Sequence, residues 1–306
     1  MIVFYFNEIM SWILLVLASH FAWAIENVYT KIVIGSKIKN PYVFLILISI
    51  LSIFVLPFVD AKYIILPSSG TMWWLLLASL FYTLAGIPYI KAMEIEEVTR
   101  INILWNTIPI FSLILGWVII GDKLSVIEFI AMIFLLTGAI VASIKKNNLS
   151  FKVSPAFWLM LLSCGLYAAY ALVVRYLSKT TAFPTIFFWV IVFDAIAINV
   201  SFFFKKIRQD FWQTLRSNSI SFFILFFGIV VIGNIGLVLN QWALSLKPGA
   251  LVYAFEGFQV LFVFCLAIIT AKIFPNLIEE SVDKKDLLIK FLAFLIIMVG
   301  IILLVF

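Results

Sequence analysis

Ten long apolar stretches follow one another along this chain, and they constrain its fold more than any other feature. Each is close to the roughly 20 residues that a helix needs to cross a bilayer. A chain inside a bilayer must satisfy its own backbone hydrogen bonds, so such stretches predict spanning helices. The predicted spans are 9–31, 43–59, 72–90, 98–120, 125–144, 155–176, 184–204, 219–245, 249–271 and 287–305.

The composition agrees with a membrane protein and excludes most soluble classes. Charged residues make up only 12% of the chain, against about 25% in soluble proteins. We therefore expect an all-α, multi-pass integral protein that has the lipid bilayer as its surroundings and lies in a bacterial cytoplasmic (inner) membrane. The net charge of +6 does not indicate nucleic-acid binding, because the Lys and Arg residues lie singly between the apolar runs.

The distribution of these basic residues predicts an orientation. Ten spans place both termini on the same side of the membrane. The odd-numbered loops, which lie on the side opposite the termini, hold 16 Lys and Arg residues. The even-numbered loops, on the same side as the termini, hold 5. Since cytoplasmic loops collect basic residues, this division puts the termini outside the cytoplasm.

An internal repeat divides the spans into two sets. Residues 23–31 and 167–175 share an aromatic residue, a following alanine and a base eight positions on, at an offset of 144, and residues 89–93 resemble 240–244 at an offset of 151. Gly138 and Gly300 end the fifth and tenth spans alike. We predict two five-helix repeats, 1–146 and 150–306. An odd number of helices inverts the second repeat, as in secondary transporters with a substrate site at the midplane.

These motifs resemble the EamA-type family of the drug/metabolite transporter superfamily. The resemblance is carried by residues 23–31, by Pro109 and its neighbours, by the turn at 121–125 and by Gly138. It implies ten helices in two inverted five-helix repeats and the transport of a small metabolite. Gln259 stands where the family's second proline would be. Bacterial members usually keep both termini in the cytoplasm, which is opposite to the charge count, so the orientation stays open.

Three carboxylates inside predicted spans are site candidates, with Glu26 and Glu256 ahead of Asp194. Glu26, Asp194 and Glu256 lie within apolar runs, where a charged side chain costs about 2.5–3.5 kcal/mol or more. In the family that the chain resembles, the helices of Glu26 and Glu256 line the central cavity, whereas the helix of Asp194 is peripheral. We predict that Glu26 and Glu256 bind a proton or a cationic group of the substrate. The alternative is a structural hydrogen bond to a neighbouring helix.

Polar-tipped and aromatic residues at interior-facing positions complete the candidate site. They are Trp23, Asn27, Tyr82, Trp105, Asn106, Tyr167, Tyr170, Asn240, Tyr253 and Gln259. His20, the single histidine, could titrate near neutral pH, or it could be a hydrogen-bonding core residue. The charges between the third and fourth spans are interpreted as solvated; they are Glu94, Glu96, Glu97 and Arg100.

The sequence contains no catalytic constellation, phosphate-binding loop or metal-ligand cluster, so we expect neither an enzyme nor a cofactor. The leading hypothesis is a secondary transporter of a small polar or amphipathic metabolite, such as an amino acid or a cationic metabolite. It would work by alternating access coupled to protons. The alternatives are a flippase of a lipid-linked substrate and a non-transporting scaffold. The expected partner is the small-molecule substrate alone, and the expected state is a monomer, with a homodimer as the alternative.

Overall fold

The computed structural model of the chain describes residues 8–34, 37–120, 125–147, 150–247, 252–253, 255–274 and 283–305. Residues 121–124 of the predicted turn at 121–125 lie outside these residues.

Helices account for nearly all of the described chain. The first part contains α1 (Glu8–Val33), α2 (Pro41–Ser52), α3 (Ser69–Ile95), α4 (Val98–Trp105), α5 (Ile108–Leu115) and α6 (Val126–Ser143). Short 3₁₀ turns (Ile53–Phe58 and Ala61–Tyr63) follow α2, and a π turn (Gly116–Ile120) follows α5. An antiparallel hairpin of β1 (Ile144–Asn147) and β2 (Ser150–Val153) leads to the second part. That part contains α7 (Pro155–Leu177), α8 (Phe183–Asn199) with a 3₁₀ turn (Val200–Phe203), α9 (Lys205–Ser217), α10 (Ile220–Leu246), α11 (Glu256–Ile273) and α12 (Lys284–Val305).

The protein is an integral, multi-pass membrane protein with an all-α fold. Within the described residues, nine helical stretches are long and apolar enough to cross a membrane. They follow the order of the predicted spans. The remaining predicted span corresponds to α6, whose apolar part, Val126–Val141, is shorter.

Helix α9 is a helix that the sequence analysis did not predict, because residues 205–218 lie between two predicted spans. Its buried residues, Ile207, Phe211 and Thr214, recur at spacings of four and three and so form one face. Lys205 and Lys206 are exposed on the rest of its surface. Its basic, amphipathic character is typical of a helix that lies at the membrane surface.

Two spans that were predicted to be continuous are interrupted. Within the segment 98–120, α4 ends at Trp105 and α5 begins at Ile108. Pro109 has no N–H with which to bond the carbonyl of Trp105. Just before the break, the Asn106 side chain donates 3.2 Å hydrogen bonds to the carbonyls of Asn102 and Ile103. In the segment 249–271, α11 begins only at Glu256, after a turn at residue 255.

Helices from the first part of the chain pack mainly against helices from the second. Helix α1 lies against α10 and α11, and α7 lies against α3, α4 and α5. Helix α2 packs on α8, α4 on α11, and α6 on α12. If each helix is replaced by its counterpart in the other predicted repeat, every one of these contacts becomes another contact in the same set. The contact of α1 with α10, for example, becomes that of α7 with α3. This is the packing expected of an inverted repeat, and the boundaries 1–146 and 150–306 remain a prediction.

The contact between α6 and α12 is reciprocal. A Cβ atom added at Gly138 would lie 2.5 Å from Ile297 Cγ1 and 3.0 Å from the Ala293 carbonyl oxygen. One added at Gly300 would lie 3.0 Å from the Ala131 carbonyl oxygen and from Leu135. The two glycines therefore allow the helix backbones to approach closely, as small residues do between membrane helices.

Alanine at position 138 is expected to destabilise this contact. Its methyl group would overlap Ile297, and the adjacent Ala293 backbone cannot move aside without shifting α12. Overpacking of this kind costs about 1–3 kcal/mol. We expect a lower melting temperature for Gly138→Ala in detergent than for Gly228→Ala, a control at which an added Cβ meets nothing within 4 Å. Equal melting temperatures would contradict the close packing.

A buried ion cluster connects the α3–α4 turn with the beginning of α12. It corrects the interpretation of Glu96, Glu97 and Arg100 as solvated charges, whereas Glu94 is exposed as predicted. The side chains of Arg100 and Lys290 are 4% and 0% exposed. Arg100 pairs with Glu97 at 3.0 Å, with Glu96 at 3.8 Å and, most closely, with Asp286. Lys290 Nζ lies 2.8 Å from Glu97 and 3.0 Å from Asp286. Burial acts to raise the pKa of Glu97, but the Lys290 and Arg100 cations outweigh it and hold that pKa below its ordinary value.

Candidate functional site

A cavity of about 140 Å³ lies between α1, α2, α3, α7, α8 and α11, beside the interruption between α4 and α5. Nine of the predicted site residues contribute to its described lining: Trp23, Glu26, Asn27, Tyr82, Trp105, Tyr167, Asp194, Glu256 and Gln259. Five others lie outside that lining: His20, Asn106, Tyr170, Asn240 and Tyr253. Both parts of the chain therefore contribute to one central cavity.

Glu26 reaches the cavity from α1, where α1 packs against α10. Gly233 of α10 faces it so closely that an added Cβ would lie 2.5 Å from the Glu26 carboxyl carbon. One turn earlier on α1, the Trp23 indole N–H donates a 3.3 Å hydrogen bond to the Gly233 carbonyl. Within the part of the chain that the structure describes, no side chain or backbone group forms a hydrogen bond or ion pair with the Glu26 carboxylate.

Asp194 is the second carboxylate in the lining, although the resemblance implied that its helix is peripheral. Thr83 of α3 donates a 2.5 Å hydrogen bond to Asp194 Oδ1. Helix α8 packs against both α2 and α3, and this packing brings Asp194 to the cavity. Thr83 was not a predicted site residue, since a threonine in an apolar run carries no distinctive signal.

Glu256 is the third carboxylate, and it begins α11 directly after the turn at residue 255. It is only 3% exposed, and its Oε2 atom lies 3.6 Å from His20 Nδ1. The same His20 nitrogen lies 2.8 Å from Gln259 Oε1. His20 is fully buried and does not line the cavity, so its geometry is that of a core hydrogen-bonding residue.

A chain of hydrogen-bonded amides extends from this group across four helices. Gln259 and Asn27 each donate a 2.8 Å hydrogen bond to Asn102 Oδ1. The Tyr89 hydroxyl donates a 2.7 Å hydrogen bond to Asn27 Oδ1. The polar atoms of the network satisfy one another, which fixes α1, α3, α4 and α11 around one side of the cavity. Asn102 was missed as a site residue, although it stands one helical turn before the predicted Asn106.

Aromatic rings cover another side of the cavity, with Tyr167 at the centre of the group. Its ring centroid lies 5.6 Å from that of Trp105, 5.9 Å from Tyr82, 5.2 Å from Tyr170 and 5.7 Å from Tyr253. Tyr170 and Tyr253 are fully buried behind the lining. They therefore support the rings that face the cavity.

The two remaining predicted residues have structural contacts. Asn106 caps the end of α4 through its side-chain N–H groups. Asn240 accepts a 3.2 Å hydrogen bond from the Tyr253 hydroxyl. Both are fully buried.

The described lining holds three carboxylates and no Lys or Arg. Two basic residues near the helix ends point to backbone carbonyls instead. Lys31 donates to the carbonyls of Met93 and Glu96 at the end of α3, at 2.9 and 2.7 Å. Arg175 donates to the Ser245 carbonyl at the end of α10, at 2.7 Å. The cavity is thus acidic and aromatic, and it is suited to a cation or to protons.

Comparison with known proteins agrees with this architecture. Residues 10–144 match the model of the EamA-like transporter family, which confirms the resemblance noted from the motifs and indicates a membrane transporter of small molecules. None of the curated proteins matches the chain. A solved structure, described as the crystal structure of a protein, is similar to this chain with a TM-score of 0.56. It is 12% identical and the match covers 96% of both chains, so it supports the fold alone.

Proposed function

We propose that this EamA-like membrane protein is a secondary transporter of a small polar or amphipathic metabolite, either an amino acid or a cationic metabolite, in a bacterial inner membrane. The observation that carries the proposal is the central cavity, whose described lining combines three carboxylates with six aromatic side chains. The cavity lies between helices of the two predicted repeats, so a rocking motion of one repeat against the other would expose it to alternate sides.

Glu26 is the residue best suited to bind a transported cation. A carboxylate in hydrocarbon surroundings needs a counter-charge, water or a proton. Glu26 lines the cavity, and no described residue bonds to its carboxylate. A proton and a positively charged substrate would compete for this one group. Such competition releases a proton when the substrate binds, and it thereby couples the two movements.

The interrupted helices support the same proposal. Trp105 and Ile108, on either side of the first interruption, line the cavity, and Glu256 lines it at the second. Irregular backbone at membrane depth is tolerated where it faces protein or a cavity. Discontinuous helices at the substrate site are common among secondary transporters.

Uptake by the purified protein in liposomes, screened against a metabolite library with and without a pH gradient, tests the proposal. Glu26→Gln and Glu256→Gln keep the shape of the side chains and remove their charge. We expect each to lower uptake at least tenfold, because losing a hydrogen-bonded or ionic partner in a cavity costs about 1.5–3 kcal/mol or more.

Glu94→Gln provides the control, since Glu94 is an exposed carboxylate at the end of α3. It should transport as the unaltered protein does, and all three variants should retain its melting temperature. Normal transport by both Glu26→Gln and Glu256→Gln across a range of pH would make these carboxylates structural. The complete absence of uptake for every compound would favour a non-transporting scaffold.

A further inference from the structure

We infer, on the basis of the proposed transport function, that the substrate is a small organic cation with an apolar body about the size of one aromatic ring and without a carboxylate. An arylalkylamine has this chemistry. The inference narrows the two substrate classes above to one and excludes amino acids.

The charges around the cavity carry the first step. An amino acid bears an ammonium group and a carboxylate, and each needs a partner when the molecule is buried. Glu26, Asp194 and Glu256 offer three partners for an ammonium group, whereas the described lining holds no Lys or Arg for a carboxylate. Lys31, about one turn beyond Asn27 on α1, already donates to two backbone carbonyls.

Helix N-termini could also bind a carboxylate, and here neither interrupted helix is suited to do so. Helix α11 begins with the carboxylate of Glu256 itself. In the first turn of α5, Pro109 has no N–H, and the N–H groups of Ile110 and Phe111 donate to the Thr107 carbonyl at 3.1 and 3.4 Å. A substrate carboxylate would therefore find few free donors at α5 and a like charge at α11.

The aromatic lining supplies the complementary half of the site. Trp23, Tyr82, Tyr89, Trp105 and Tyr167 all contribute to the cavity surface. The faces of such rings attract ammonium groups and also pack against hydrocarbon. A substrate with a positive end and an apolar body would satisfy both kinds of surface at once.

The size of the cavity limits that body. Its volume is about 140 Å³. A dry protein cavity of about 150 Å³ holds one benzene molecule. By this comparison the space corresponds to a single ring or an aliphatic group of similar size, and it is too small for a bulky polycyclic drug.

Four compounds that share one phenyl ring test the inference by calorimetric titration of the purified protein near neutral pH. They are 2-phenylethylamine (a cation), phenylalanine (a zwitterion), 3-phenylpropionate (an anion) and 2-phenylethanol (neutral). We expect the amine to bind roughly 100-fold more tightly than phenylalanine, the ratio that corresponds to the cost of an unpaired carboxylate at membrane depth. Glu26→Gln should reduce amine affinity toward that of the alcohol, while Glu94→Gln should leave it unchanged.

Equal or tighter binding of phenylalanine would overturn the inference, and so would binding of the alcohol as tight as that of the amine. Failure of all four compounds to bind would overturn it too. If Glu26→Gln does not fold, the series on the unaltered protein decides the matter alone.

Uptake into liposomes separates the two proposals. Accumulation of phenylalanine or of an unrelated library compound would leave transport standing without the cation site. Tight amine binding with no uptake of any compound would leave the cation site standing without transport.

Discussion

Alanine at position 233 should reduce uptake about 100-fold while the protein stays folded. The added Cβ would lie 2.5 Å from the carboxyl carbon and Oε2 of Glu26 and 2.6 Å from its Oε1. The end of a flexible side chain can move aside at little cost, so we expect the Glu26 carboxylate to leave its position and α10 to keep its own. A displacement of about 1 Å at a binding group can reduce activity about 100-fold.

Gly228→Ala is the matched control for this substitution, because it adds the same methyl group to the same helix. An added Cβ at Gly228 meets nothing within 4 Å. We expect its uptake rate and melting temperature to equal those of the unaltered protein. Uptake by Gly233→Ala at the control rate would show that the position of the Glu26 carboxylate is unimportant for transport.

The substitution Lys290→Met should lower the stability of the protein far more than the same substitution at an exposed lysine of α12. The Lys290 side chain is fully buried, and it pairs with both Glu97 and Asp286. Removing one partner of a buried ion pair costs about 3–5 kcal/mol, because the opposite charges remain buried without full compensation. We expect a melting temperature well below that of Lys285→Met, a control at an exposed lysine of the same helix.

The double variant Lys290→Met with Glu97→Gln tests the cause of this loss. It removes one charge of each sign, so it should recover part of the stability lost by Lys290→Met alone. A melting temperature for Lys290→Met equal to that of Lys285→Met would show that the ion cluster contributes nothing to the fold. No recovery in the double variant would assign the loss to packing of the lysine side chain.

The sequence predicted most of the spans, and it marked three carboxylates that line the cavity, for related reasons. A spanning helix depends on the length and polarity of a local segment. A carboxylate in an apolar segment is unusual enough to mark a site by itself. Glu26, Asp194 and Glu256 could therefore be selected from their immediate neighbours, and all three line the cavity.

Residues without such a local signal could not be selected in this way. Gly233 matters because α1 brings Glu26 against it, and the two positions are 207 apart in the chain. Asn102 receives hydrogen bonds from Asn27 and Gln259, on two other helices. The sequence around Gly233 does not distinguish it from a packing residue, and the position of Asn102 one turn before Asn106 does not show which helices it contacts.

The sequence by itself thus determined a multi-pass helical membrane protein with carboxylates at depth, because the bilayer imposes the same rule on every segment separately. Tertiary structure decided which polar groups line the cavity and which become structural contacts. Arg100 shows the difference: its sequence neighbours suggested a solvated loop, yet Asp286, a residue of another helix, pairs with it in a buried cluster. Electrostatic and packing energies depend on distance in space, and only the packing of distant helices sets those distances.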